Sequence, residues 1–173
     1  MDDSANTRDV REARVASEAR DPWEHVDPVA LLHRTATAPA PDERLTIAPA
    51  LCPMCGWDQF EVVADECFCE GCCLPLGIED GGVHPNGFPW TLTPARHAAP
   101  TPPGAAPAVL TCPEGHDLFE VAVACTTTPA DEVRRISVAL RCTEDGTASV
   151  HVDNATVTRR APCSPTCSCS ASA

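Results

Sequence analysis

The chain has 173 residues, among them twelve Cys, eighteen Pro, four Phe, three Trp and no Tyr, and its formal net charge is -13. So few large apolar side chains exclude an extensive hydrophobic core, since burial contributes only about 25 cal/mol per Å² of apolar surface and Ala brings little of it. The acidity, with Arg the only Lys/Arg-type cation and no Arg cluster, argues against a phosphate-binding face, and no stretch is apolar enough to span a bilayer.

Residues 1–21 are charged and Ala-rich without a continuous apolar stripe, which predicts a flexible arm. No apolar signal segment is present there, so a reducing cytoplasm is the expected setting, and thiols in it are metal ligands rather than bridges. Within residues 22–50, Asp27-Pro28 predicts a short helix with Asp as N-cap and Pro in the first turn. The Ala, Pro and Thr from Thr35 to Pro49 then read as a linker.

An internal repeat follows: Cys52 to Ala64, C-P-M-C-G-W-D-Q-F-E-V-V-A, is echoed by Cys112 to Ala124, C-P-E-G-H-D-L-F-E-V-A-V-A. Asp lies six residues after the first Cys in one copy and five in the other, a slip of one residue inside the loop. Each copy continues as a strand whose alternate residues, Phe60 with Val62 and Phe119 with Val121 and Val123, face a small core. Each then returns to further cysteine, at Cys67, Cys69, Cys72 and Cys73 in the first copy and Cys142 in the second. The second hairpin is predicted as Leu118 to Cys125 and Val133 to Leu140 around Thr126 to Glu132. Another pair, Ala148 to Val152 and Ala155 to Thr158, is expected about a tight turn at Asp153-Asn154. The two units span 51–93 and 109–160, joined by a stiff Pro/Ala spacer at 94–108 and followed by a Cys/Ser tail at 161–173 that is expected to be disordered.

Cys52 and Cys55, then Cys69 and Cys72, form two C-x-x-C pairs with thirteen residues between them. Two intervening residues let the backbone loop back so that both sulfurs lie about 2.3 Å from one ion. Pro53 stiffens the first loop and Gly56 permits the positive φ that ends it. This pattern, C-P-M-C-G followed by C-E-G-C, resembles the zinc ribbon family. The resemblance implies a hairpin whose two knuckles hold one Zn²⁺ through four thiolates, leaving two net negative charges at the site. The family has Gly after the last Cys, where this chain has Cys73.

The second copy offers Cys112, His116, Cys142 and Asp145, with His116 read as standing where the first copy has its second Cys. These residues either hold a second Zn²⁺ or belong to a ribbon without metal, in which Asp145 is a turn residue before Gly146. Between Ile78 and His97, Phe88 and Trp90 are read as additions to the core in preference to His84 and Asp80 as an acid–base pair. The tail cysteines, Cys163, Cys167 and Cys169, resemble the core of a ribosomally made, enzymatically modified peptide, which makes a precursor an alternative reading.

The expectation is therefore a small β-rich protein of tandem zinc-ribbon-like hairpins with disordered arms, binding zinc structurally. Four protein ligands leave no open position on the ion, so no enzymatic activity is expected. A protein partner is the expected target, with Trp57 and Trp90 as anchors and the oligomeric state left open. A ribbon that stacks a nucleic-acid base at Gly56-Trp57 is a further alternative, which the charge disfavours.

Overall fold

A computed structural model describes residues 23–63, 66–77, 90–93 and 109–159. The arm at 1–21, the spacer, the tail cysteines, and Asp80, His84 and Phe88 lie outside the described residues. The described elements are β1 (Glu24–His25), α1 (Pro28–Thr35), β2 (Arg44–Pro49), β3 (Gln59–Val63), β4 (Glu66–Cys69), β5 (Pro75–Gly77), β6 (Trp90–Thr93), β7 (Leu118–Thr127), β8 (Val133–Cys142) and β9 (Thr147–Arg159). They form a small antiparallel β protein with one short helix. That helix is not long enough to cross a membrane.

α1 starts where its cap residues dictate: the Asp27 carboxylate accepts from the Ala30 N–H at 2.9 Å, and Pro28, with no N–H to satisfy, occupies the first turn. Leu31 and Leu32 project from it onto Ala122, Ala124, Ala139 and Ala148. These small side chains leave room for a helix on that face of the sheet. The opposite face carries the larger residues, Phe60, Val62, Phe119, Val121, Val123, Ile136, Val138 and Leu140, in one cluster with Cys67 and Cys125. Where the helix crosses, β7 is buried on both sides, so its alternation of exposure disappears from Val121 to Thr127.

The sheet runs β1-β9-β8-β7-β3-β4-β5, with β2 also paired to β7 and β6 to β9. The two repeats are therefore not consecutive separate hairpins; their first strands pair with each other. Phe60 opposes Phe119, flanked by Gln59 with Glu120 and Glu61 with Leu118. Since Phe60 and Phe119 are equivalent in the repeat, an approximate two-fold axis passes through this pair. The residues just ahead of each knuckle obey it, because the Ala50 N–H donates to the Val121 carbonyl and the Leu110 N–H to the Val62 carbonyl, both at 2.8 Å. Each repeat thus completes the strand pairing of the other.

Three expectations are corrected by this arrangement. Arg44–Pro49, read as linker, is strand β2, which lies against the C-terminal half of β7 and packs Leu45 and Ile47 beneath α1. Trp90–Thr93, placed with the first unit, pairs with β9 beside the second hairpin. Asp153-Asn154 does not reverse the chain. β9 continues through it, and register shifts opposite Ser137 and between Val138 and Ala139 absorb the extra residues. Asn154 takes a φ of 47° there and its N–H donates to Ser137 Oγ at 2.9 Å, so the positive φ read as a turn belongs to a bulge.

Candidate metal centres

In both hairpins the loop before the first strand meets the loop after the second. Phe60 opposes Cys69 across β3 and β4, and Phe119 opposes Cys142 across β7 and β8. The loops are closed by matching backbone hydrogen bonds. Cys52 N–H donates to the Trp57 carbonyl at 2.7 Å and Cys112 N–H to that of His116 at 2.8 Å. Across the hairpins, Glu70 N–H donates to Gln59 and Thr143 N–H to Leu118, both at 3.1 Å.

The structure brings together all eight residues singled out by spacing, as two tetrads: Cys52, Cys55, Cys69 and Cys72, and Cys112, His116, Cys142 and Asp145. Within each tetrad the donor atoms all lie within 4.8 Å of one another, an arrangement that can hold a metal ion. In the first, Cys52 Sγ is 3.6 Å from Cys72 Sγ and Cys55 Sγ is 3.5 Å from Cys69 Sγ. A tetrahedron with metal–sulfur bonds of about 2.3 Å has edges of about 3.8 Å, so the sulfurs stand close to where a zinc-sized ion would set them. A disulfide would bring them to about 2.05 Å, and all four thiols are free.

Backbone N–H groups converge on these sulfurs. Burial alone raises the Cys52 thiol, but hydrogen bonds from the backbone of Cys55 and Met54 and from the Cys72 and Cys69 thiols bring it down to about 6. Cys55 and Cys72 receive backbone hydrogen bonds from Trp57 and Leu74 that act in the same direction, yet burial and neighbouring thiols hold both above the ordinary value. Cys69 is raised by burial and then by Cys55. One thiol therefore ionises readily and the next ones resist, because each new thiolate meets an existing one. A divalent cation among them removes that penalty.

The second tetrad uses a different donor set. Cys112 Sγ and Cys142 Sγ each lie 3.5 Å from His116 Nδ1, and the Cys112 thiol donates to Asp145 Oδ2 at 3.1 Å. Asp145 stands in the turn and in the tetrad at once. Its Oδ1 accepts from the Thr147 N–H at 2.7 Å and the Thr147 hydroxyl at 2.6 Å, which shapes the turn, while Oδ2 points into the tetrad. Those two Thr147 bonds, then the Cys112 thiol, hold its carboxyl well below the usual carboxylate range. Burial and then Asp145 raise Cys112.

The position of His116 differs from the expectation. Its carbonyl closes the loop as that of Trp57 does, so it is the counterpart of Trp57 and not of Cys55. The second loop is one residue shorter and omits the Cys55 position, and the longer imidazole reaches the centre from two positions further along, after the glycine. The final turns also correspond: Cys73 N–H donates to the Cys69 carbonyl and Gly146 N–H to that of Cys142, with φ of 58° at Cys73 and 74° at Gly146. Cys73 thus holds the left-handed conformation that glycine adopts without strain.

Comparisons with protein-family models, curated proteins and solved structures return no match.

Among the remaining described cysteines, Cys67 is fully buried and its thiol donates to the Leu76 carbonyl at 3.3 Å. Burial pushes Cys125 up to about 12. Neither belongs to a tetrad, and both pack in the larger core cluster as small apolar side chains. Trp57, named as an anchor, is exposed beside the first tetrad. It lies against Gly71, where a Cβ would come within 3.0 Å of Trp57 Cγ. Spacing alone had not singled out Gly71, although its place between Cys69 and Cys72 opposite an aromatic knuckle residue is a usable signal.

Proposed function

We propose that this chain is a structural zinc-binding protein built from two zinc ribbons, and that it acts as a non-catalytic protein-interaction module. One ribbon binds through four cysteines, the other through two cysteines, a histidine and an aspartate. The observation that carries this reading is the repetition of one device: two tetrads at equivalent positions of two-fold-related hairpins, each assembled by the same loop hydrogen bonds. Zinc suits the donors, since thiolate and imidazole are its preferred ligands and it imposes no geometry beyond the tetrahedron they describe. When bound, the ion supplies a cross-link between the two ends of a hairpin. The residues supply the rest: they orient the sulfurs, fill all four positions and hold the loops in place.

With every position taken by protein, the ions are clasps, and activity lies in the surfaces they make rigid. A cytoplasmic setting accords with the set of free thiols. The test is elemental analysis of metal per chain. Two zinc ions are expected for the wild-type chain, and one each for Cys52→Ser and Cys112→Ser. A wild-type chain that keeps its far-UV spectrum and stability after chelation would refute the structural role.

A further inference from the structure

The loop that closes the first tetrad is apolar at its tip. Leu51, Met54 and Trp57 are 58%, 72% and 46% exposed, and all three lie within residues 51–57. The corresponding positions of the second loop are Thr111, Glu114 and His116, so exposed apolar side chains are not a requirement of the turn. The first loop is also surrounded by one sign of charge. Exposed Asp58 follows Trp57, and exposed Glu70 precedes Gly71, against which Trp57 lies. No Arg, Lys or His occurs from Leu45 to Val83. Among the described residues, no cation pairs with Asp58, Glu61, Glu66 or Glu70, whereas the second hairpin neutralises Glu120 with Arg141 at 2.9 Å and Glu132 with Arg134 at 3.4 Å.

We infer that this loop docks a cationic polypeptide segment of a partner protein, whose apolar side chain seats on Leu51, Met54 and Trp57 while flanking Arg or Lys residues face Asp58 and Glu70. The inference deepens the interaction-module reading and rests on it, because the clasp is what keeps the loop rigid enough to offer a preformed surface. Charge selects the occupant. A second copy would bring the same acidic loop against this one, and a nucleic acid would bring phosphates. The chain's own first 22 residues carry four Arg against six acidic residues, so they are not a cationic segment either. An aromatic and a thioether side chain exposed on one short loop form an adaptable anchor site, and carboxylates with no cation partner among the described residues steer and orient a basic ligand.

The experiment pans a phage-displayed random peptide library on the immobilised, zinc-loaded full-length chain, then titrates the enriched peptides in solution. Enriched sequences are expected to join Arg or Lys to Leu, Met or an aromatic residue. Their affinity should fall about tenfold or more in a Met54→Ser/Trp57→Ser chain and several-fold in an Asp58→Asn/Glu70→Gln chain. Zinc content is measured on every variant and should equal that of the wild type, which separates loss of the surface from loss of the clasp. The inference is overturned if a zinc-loaded chain enriches no peptide, enriches uncharged or acidic ones, or binds equally well in both variants. It is also overturned if the loop instead self-associates or retains single-stranded oligonucleotides. A chain that carries no zinc overturns the clasp itself.

Discussion

The two hairpins share one plan and differ in what holds them together. The second is built on strands of ten residues each, lies in the middle of the sheet and is covered by α1 on its alanine face. The first has strands of five and four residues and stands toward the sheet edge, with only the three-residue β5 beyond it among the described residues. Their ligand sets follow the same division. The hairpin with little packing carries four cysteines that could hold a metal ion, and the well-packed one carries a carboxylate and an imidazole beside its two cysteines. Where packing already secures the hairpin, the tetrad is free to vary. Where it does not, the proposed clasp would supply the stability that short strands lack.

The largest effect that tests this contrast is metal removal by ligand substitution. Cys52→Ser should abolish slow amide exchange throughout β3 and β4, whereas Cys112→Ser should leave the centre of β7 and β8 protected. Hydrogen exchange followed residue by residue distinguishes the two outcomes, and equal collapse in both variants would break the contrast. Next in size are the paired phenylalanines. Phe60 and Phe119 are fully buried, and replacing either by Ala should cost about 3–5 kcal/mol in denaturant unfolding. Because they oppose each other on the two-fold axis, the double variant should cost less than the sum of the single ones. Additive losses would mean that the hairpins are stabilised independently.

A smaller effect concerns the second tetrad alone. Asp145→Asn keeps an acceptor for Thr147 but loses the anionic donor, so zinc affinity there should weaken by about tenfold with little change in fold, as read by competition with a chromogenic chelator. Asp145→Ala should lose both affinity and the turn. The smallest effect is a gain. Cys73→Gly relieves a left-handed φ that Gly146 adopts freely in the other hairpin, and should stabilise the chain by about 1 kcal/mol, seen as a higher midpoint of thermal unfolding. The same substitution tests whether Cys73 competes for metal, since zinc stoichiometry should not change.

Much of this was legible in the amino-acid order because it is local. Asp27-Pro28 announces the helix start, since capping involves groups three residues apart. The C-x-x-C pairs and the repeat around Cys-Pro and Phe-Glu-Val identify both tetrads, because a knuckle's geometry is contained in the few residues between its ligands. β2 was missed although Leu45 and Ile47 alternate with Thr46, as flanking proline and alanine hide a strand whose partner, β7, lies far along the chain. The Asp153-Asn154 bulge was mistaken for a reversal because positive φ serves both, and only the strand opposite determines which forms. His116 was equated with Cys55 by counting, while hydrogen bonding equates it with Trp57.

Residue spacing by itself thus determined which side chains can meet around an ion and where the local turns lie. The tertiary structure alone decided that the hairpins join through Phe60 and Phe119 into one sheet and that each completes the other's edge. The physical reason is that backbone N–H and C=O groups are the same at every residue. An open strand edge therefore accepts any extended partner in register, and the choice is made by packing among residues distant in the chain.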